Sequence, residues 1–466
     1  MKQLTIVGAG WAGLAAAVAA TQAGWQVTLF EAAPLAGGRA RSLQQNFADK
    51  PLDNGQHVLI GAYRDTLALM RTVGLNPETL LQRLPLDLRF PDGQGLSLPD
   101  WPLPFNLLAG VARANGWSLK DKASLIQASW HWQRTGFTCD DTWTVAQLCE
   151  DARLSPRVML QLIEPLCLSA LNTPLHQASA TVFLRVLQDA LLGGSGSSDL
   201  LVPRIDLGAL LPDACLQWLS TQGADIRLGQ RITAGALEAL THANSPTQAT
   251  LLACPPWEAA RLSADLAPKW AYPCAELQHT AIATVYLRCT DAGFAGLPRP
   301  MMALYSDAQA PAQFVFDRGA LTAQPGLLAA VVSACSAERD EVTEQVYDQV
   351  RSRLPGYPAM LRTGRSVGMS RGLELPAKLE TRRVGDYICT VVHNVVDLTL
   401  DRLDTDQLGE LDENGLLRLG GHWVSLPPVE HRLMSVLLDR YRAVVSRDAL
   451  ARAGWPDGIT NRLDRK

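Results

Sequence analysis

Short apolar runs frame a helical, alanine-rich stretch in the first thirty residues. Residues 3–7 are mostly apolar and lead into a glycine-rich turn, which predicts a buried strand. Residues 14–23 carry the alanines typical of a helix, and Gly24 is placed to end it. Residues 26–30 predict a second strand that ends at Glu31. This strand–turn–helix–strand order is typical of a parallel α/β sheet.

Three later segments extend the pattern. Residues 205–222 have the amphipathic period of a helix. Residues 250–266 read as a strand, a Pro-Pro turn and a helix. In residues 276–289 apolar and β-branched residues alternate, which predicts a strand in a second sheet. We therefore expect more than one folding unit.

Composition narrows the class of protein. The chain has 466 residues, of which 47% are hydrophobic and 19% charged, as in globular proteins with two or three domains. A net charge of −4 favours no polyanionic partner for the whole chain. The nine cysteines are scattered without a CxxC pair, so we expect reduced thiols and no metal site. No leader or membrane span is visible, and we expect a cytoplasmic protein.

The first turn has the residues of a dinucleotide site. Gly8 permits a tight turn, Gly10 lets the backbone approach a pyrophosphate, and Gly13 lets helix and strand pack closely. The helix start offers N–H groups to the phosphates. Glu31 follows about twenty residues later, where a carboxylate accepts hydrogen bonds from ribose hydroxyls and disfavours the 2′-phosphate of NADP.

A second glycine turn, Gly37-Gly38-Arg39, follows the acid and introduces a resemblance. The strings GAGWAG, E and GGRARS together resemble the amine-oxidase and isoprenoid-desaturase superfamily of flavoproteins. That resemblance implies FAD, with the second turn on its pyrophosphate and the Asp53–His57 turn near the isoalloxazine. The cofactor-binding candidates are Gly8, Gly10, Trp11, Ala12, Gly13, Glu31, Gly38, Arg39, Gly55, Gln56, Ile232, Gly385 and Asp386.

Strings in the middle of the chain resemble one branch of that superfamily. EPLC (164–167), ALNTP (170–174), SDLLVPR (198–204), TVYL (284–287) and FVFDRG (314–319) are similar to squalene-associated flavoproteins of hopanoid biosynthesis. The resemblance implies a long apolar isoprenoid substrate and reductive removal of the hydroxyl group of hydroxysqualene, giving squalene. An FAD-dependent isoprenoid desaturase or amine oxidase of the same fold is the alternative. The candidates for proton donor or polar anchor are His57, Asn172 and Asp317.

Residues 98–134 are rich in tryptophan, proline and leucine. One interpretation is an ordinary helical subdomain packed on the flavin domain. The other is an apolar lid that also touches a bilayer as a peripheral contact at the inner face of the membrane. The sequence leaves both open.

The C-terminal part departs from the superfamily pattern. Gly385-Asp386-Tyr387 matches its glycine–aspartate turn, but the long closing helix does not follow. Residues 411–466 read as two short strands around an Asn-Gly turn and two helices, and they resemble a winged-helix effector domain of the OmpR type. Because the chain stops where the recognition helix would begin, a DNA-binding regulator is the minor alternative, and we expect no specific DNA complex.

The resulting fold prediction is α/β. A Rossmann-like FAD-binding domain is interleaved with an α+β substrate domain, and a small α+β partial winged helix follows. The predicted FAD-binding domain comprises 1–75, 205–270 and 360–390, and the substrate domain comprises 76–204 and 271–359. A linker is predicted at 391–410, followed by the winged-helix segment at 411–466.

Overall fold

The computed structural model describes residues 2–43, 51–242, 248–289 and 294–354, together with the backbone of short strands between 361 and 425. The chain divides into two compact units, Met1–Val391 and Val392–Lys466. Each unit is described by itself.

A parallel four-stranded sheet contains the N-terminal strands. Its order is Asp225–Arg227, Gln26–Phe30, Gln3–Val7 and Gln248–Leu252. The two central strands, Gln3–Val7 and Gln26–Phe30, contribute buried apolar residues to a core that they share with helices. The helix after the first turn, Trp11–Gln22, packs on it through small residues. The predicted helix at 205–222 is two helices, because a break at Leu211 precedes Pro212.

An antiparallel five-stranded sheet forms the second layer. Its order is Met301–Ala303, Phe314–Asp317, Leu327–Cys335, His279–Cys289 and Leu361–Leu373. The long helix Arg339–Arg353 packs against it. Residues 361–373, which sequence reasoning groups with the FAD-binding segments, pair instead with His279–Cys289. The other predicted boundaries within the first unit stay predictions.

Helices and short strands between the two sheets share one large core. The core joins the 105–192 helices to the apolar face of the antiparallel sheet. The other helices are Arg64–Thr72, Pro77–Leu80, Phe105–Arg113, Leu119–Arg134, Val145–Asp151, Pro156–Val158, a π-helical turn Met159–Ile163, Glu164–Leu171, Ala180–Leu192, Leu207–Leu210, Pro212–Thr221, Ala234–His242, Pro256–Ser263, Pro268–Ala275 and Arg318–Thr322. The smaller sheets pair Leu59–Ile60 and Leu81–Leu84 with Leu200–Pro203, Ser42–Leu43 with Leu52–Asp53, Asp87–Arg89 with Gly95–Ser97, and Arg383–Val384 with Tyr387–Ile388.

The second unit contains one described hairpin, Leu416–Leu419 paired with His422–Ser425. Two strands are predicted here, but around Asn414-Gly415. Both strands follow that pair, and Gly420-Gly421 lies between them in the chain. The rest of the predicted winged helix lies outside the described residues. Among the helices that are described, none combines the length and apolarity needed to cross a bilayer.

Candidate functional site

The first glycine turn, Gly8–Gly13, sits at the carboxyl end of the central parallel strand. Gly8 has φ +111°, and its N–H donates to Phe30 O at 2.7 Å. A Cβ on Gly8 would lie 2.6 Å from Ala253 O, and one on Gly13 would lie 1.8 Å from Gly8 O. These two glycines therefore permit the turn and the close packing of helix on strand.

The second glycine turn, Gly37–Arg39, lies directly against the first. Gly37 N–H donates to Ala9 O at 2.8 Å, and Gly10 and Gly37 form a parallel bridge. A Cβ on Gly38, whose φ is +59°, would lie 3.2 Å from Gly10 Cα. Two backbones thus meet without side chains between them, and we name the place where the two glycine turns meet the groove.

The helix start beside this groove fits an anion. Trp11–Gln22 has Gly10 as its N-cap, no side-chain cap and no acid in its first turn. No side chain of its own first turn therefore neutralises its first N–H groups or the positive end of its dipole. The Trp11 indole points elsewhere, since its Nε1–H donates to Ala40 O at 3.2 Å. For Trp11 and Ala12, the backbone rather than the side chain is suited to a pyrophosphate.

Glu31 ties the end of its strand to the first glycine turn. Its Oε2 accepts the Ala9 N–H at 2.7 Å, and its Oε1 accepts the Ala33 N–H at 2.8 Å. These bonds orient the carboxylate at the end of its strand, with lone pairs left for ribose hydroxyls. Ile232 is buried nearby, packed with Val7 and Phe30. The residues present therefore fit the ribose and pyrophosphate of FAD.

A buried polar cluster joins the strand Leu52–Asp53 and the turn after it to the antiparallel sheet. It consists of Asp53, Gln56, Thr284, Tyr286 and Arg318. Arg318 Nη2 donates to Asp53 Oδ2 at 3.2 Å, and the two side chains are only 1% and 2% exposed. Asp53 also accepts the Tyr286 hydroxyl at its backbone oxygen, 3.0 Å away. Burial raises the pKa of Asp53 to about 6, against the opposing effect of the Arg318 charge.

Arg318 also reaches the turn that sequence reasoning places near the isoalloxazine. Its Nη1 donates to Gln56 Oε1 at 3.1 Å, and Gln56 Nε2 donates to His57 O at 3.1 Å. The Gln56 N–H donates to Thr284 Oγ1 at 3.1 Å. The amide and backbone N–H of Gln56 are thus engaged within the protein, so its contribution is to shape the turn.

His57 is the candidate catalytic residue that lies in this turn. Its Nδ1 is 2.9 Å from Gly55 O, and since a carbonyl only accepts, Nδ1 carries the hydrogen. Burial lowers the pKa of His57, and the positive charge of Arg39 lowers it further. The imidazole is therefore neutral at pH 7, with Nε2 as an acceptor.

Asn172 and Asp317 hold structural positions. Asn172 ends the helix Glu164–Leu171 in a left-handed conformation with φ +51°. Its Nδ2 donates to Thr280 Oγ1 at 2.8 Å, and its Oδ1 accepts the Ala334 N–H at 2.6 Å. Asp317 caps the helix Arg318–Thr322, and its two oxygens accept the N–H groups of Ala320 and Leu297. These bonds occupy the polar groups proposed as donors or anchors, and both side chains are buried.

Two of the cofactor candidates, Gly385 and Asp386, lie outside the described residues. Neither Asp53 nor Arg318 is among the site residues that the sequence predicts. The available signal is Arg318, two positions after the apolar run FVF, since a charge at the end of a buried strand needs a partner.

The chain matches known proteins over most of its length. The family model described as flavin containing amine oxidoreductase matches residues 11–366. Hydroxysqualene dehydroxylase of Zymomonas mobilis is 28% identical over 240 residues, which are 50% of this chain and 54% of that protein. The protein of the same name from Sinorhizobium fredii is also 28% identical, over 56% of this chain and 63% of the relative. The matches thus span less than two thirds of these relatives.

A solved structure shows the same fold. An oxidoreductase from Methanosarcina mazei superposes with a TM-score of 0.56 at 16% identity, covering 80% of this chain and 89% of that one. The family match covers the glycine-rich helix start, the buried polar cluster and most of the antiparallel sheet. The chain belongs to the flavin-containing amine oxidoreductases, and it is an FAD-dependent oxidoreductase.

Proposed function

We propose that the chain catalyses reductive dehydroxylation of hydroxysqualene to squalene. The observation that carries this proposal is its similarity to two proteins named hydroxysqualene dehydroxylase. One further feature supports it: the two glycine turns fit the ribose and pyrophosphate of FAD, the cofactor that such a reduction needs.

The reaction exchanges a hydroxyl group for hydrogen. The carbon–oxygen bond breaks, the oxygen leaves with one added proton as water, and the carbon gains a hydride. When bound, reduced FAD supplies the hydride, which carries the two electrons. The protein must orient the hydroxyl, keep bulk water away and provide a route for the proton.

We assign the orienting role to His57. A neutral imidazole with hydrogen on Nδ1 accepts a hydrogen bond at Nε2, and the substrate hydroxyl is a donor of the right kind. Because the pKa of His57 is lowered, its protonated form is lost below the usual titration range of histidine as pH rises. An anchoring His57 must be neutral and predicts activity that rises as pH increases through this lowered pKa, below about pH 6.5, whereas a proton-donating His57 predicts activity that falls there.

The decisive experiment is anaerobic incubation of the flavin-loaded, reduced protein with hydroxysqualene, followed by mass spectrometry for squalene. We expect squalene from the wild type and at least about tenfold less from His57→Ala, because one hydrogen bond to the substrate is lost. His176→Ala, at an exposed histidine, is the matched control and is expected to keep full activity.

Absence of squalene from flavin-loaded wild type would contradict the proposal. Consumption of a saturated or partly saturated isoprenoid by the oxidised protein, with a new double bond in the product, would indicate the desaturase alternative. Oxidation of an amine substrate would indicate the amine oxidase alternative.

A further inference from the structure

The tryptophan-rich segment exposes an unusual share of large apolar side chains. Of the eleven that the described residues expose, six lie within 101–130: Trp101, Phe105, Leu108, Leu119, Ile126 and Trp130. The other tryptophans of this segment, Trp117 and Trp132, are buried in the core. The segment therefore has one apolar side that stabilises the fold and another that faces outward.

The exposed residues follow helical spacing. Leu119, Ile126 and Trp130 are separated by seven and four positions in the helix Leu119–Arg134, which places them on one face. Phe105 and Leu108 are three apart at the start of the helix Phe105–Arg113. Leu119 is 86% exposed, while Phe105 and Trp130 are each 61% exposed.

The two helices adjoin each other. Lys122 Nζ donates to Ala112 O at 2.7 Å, which joins the beginning of the second helix to the end of the first. We name the six exposed side chains the apolar outer surface. Apolar surface of this kind marks an interaction site.

Basic residues accompany the apolar outer surface. The guanidinium of Arg134 lies 4.6 Å from the ring centre of Trp130, and that of Arg113 lies 4.9 Å from that of Trp101. Residues 98–134 contain four Lys or Arg and two Asp, although the whole chain has a net charge of −4. One of those acids, Asp121, is held in the capping box of its helix.

Trp130 itself lines a hollow whose surface is mainly apolar. Gln127, His131, Arg134 and Thr135 line it. Tryptophan and phenylalanine next to arginine on short amphipathic helices is the arrangement that seats a helix at the headgroup level of a bilayer. Anionic headgroups complement the local positive charge.

We propose that the helices Phe105–Arg113 and Leu119–Arg134 dock the protein on a membrane surface that contains anionic phospholipid. The proposal goes beyond the reaction, because it concerns where the protein works. It also supplies a route for an apolar C30 substrate, which dissolves in the bilayer rather than in water.

The test is co-sedimentation of the full chain with vesicles of phosphatidylcholine, alone or mixed with phosphatidylglycerol. We expect binding to the mixed vesicles that weakens as salt is added. The double variants Phe105→Ser/Leu108→Ser and Ile126→Ser/Trp130→Ser should each bind about tenfold more weakly, because apolar area no longer enters the interface. Leu192→Ser/Tyr272→Ser removes two exposed apolar side chains elsewhere and should bind like the wild type.

Circular dichroism melts check that each variant folds. The proposal would be overturned if the wild type does not bind the mixed vesicles. It would also be overturned if both test variants bind them as strongly as the wild type. A wild-type dimer in light scattering that the same substitutions dissociate would assign the surface to a second copy instead. The assay contains no substrate, so its result is separate from that of the squalene assay.

Discussion

At the residue scale, the glycines of the two turns have different tasks. Gly8 and Gly13 lack room for a Cβ because backbone atoms stand within 2.6 Å and 1.8 Å of its position. Gly10 has an ordinary φ of −71°, and the nearest atom to its would-be Cβ is 3.9 Å away. The fold therefore leaves room for a Cβ at position 10, and we propose that the cofactor is what requires glycine there.

This difference predicts separable effects of three substitutions. Gly10→Ala should leave the melting temperature of the apoprotein unchanged and weaken FAD binding at least about tenfold, because the methyl group stands where the pyrophosphate approaches. Gly8→Ala and Gly13→Ala should each destabilise the apoprotein by about 2 kcal/mol or more through backbone strain and overlap. Thermal melts and flavin titration measure the two effects. Destabilised Gly10→Ala apoprotein would contradict the assignment.

A second residue-scale prediction concerns Asp53. Its pKa in the folded chain is raised to about 6, above its unfolded value, so between about pH 4 and about pH 6 the folded state binds more protons than the unfolded state. The contribution of Asp53 to the free energy of unfolding should therefore fall as pH rises through that window, and stay level above it.

Denaturant unfolding of wild type and Asp53→Asn from about pH 4 to about pH 8 isolates this contribution as a difference. Asp265→Asn, at an exposed aspartate, is the control. A difference between wild type and Asp53→Asn that does not change across the window would show that Asp53 is ionised throughout.

At the element scale, connections between helices and the antiparallel sheet depend on a few polar side chains. Asn172 ends one helix and joins two strands, through Thr280 and Ala334. Arg318 begins the helix Arg318–Thr322 and reaches the Asp53–His57 turn. Such bonds set how the layers sit on each other, and apolar packing alone is less directional.

Substitution of Asn172 should therefore affect stability rather than chemistry. Asn172→Ala loses the side-chain hydrogen bonds to Thr280 and Ala334, and alanine tolerates the left-handed conformation less well than asparagine, so the substitution should cost about 3 kcal/mol of unfolding free energy. Asn172→Gly loses the same bonds without the strain and should cost about 1 kcal/mol less. Urea denaturation measures both. If Asn172→Gly is as stable as the wild type but inactive, Asn172 would again be a candidate for proton donor or polar anchor.

At the scale of the whole molecule, the described cofactor groove is contributed by the N-terminal turns and the returning segment at 229–232. The resemblance to the superfamily implies a further contribution after Asp386, but residues 388–411 read as an apolar stretch followed by an acidic one. The helix that would close over the flavin is not recognisable there.

Weak retention of FAD follows from this departure. We expect protein purified without added flavin to hold less than one FAD per chain. Added FAD should restore the yellow colour, because the groove between the two glycine turns is intact. The visible flavin absorbance relative to the protein absorbance measures the occupancy. A stoichiometric, non-dissociating flavin after purification would contradict this prediction.

The sequence by itself determined the features that depend on neighbouring residues. The strand–turn–helix–strand unit at 3–30 and the alternating strand at 279–289 follow from local periodicity and spacing, and the FAD cofactor follows from the resemblance of the glycine motifs to a flavoprotein superfamily. In the second unit the sequence predicts two strands around Asn414-Gly415, whereas both paired strands follow that pair. Gly420-Gly421 is an equally good turn sequence, and local propensity does not distinguish the two.

Only the tertiary structure decided which polar side chains are paired within the protein and which aromatic side chains are exposed to solvent. Arg318 and Asp53 are 265 positions apart in the chain, so no spacing reveals that they pair. The same holds for Asn172, whose partners come from two distant strands. Trp117 and Trp130 look equivalent as letters, yet one is buried and the other exposed, because burial depends on what a distant segment places beside a residue.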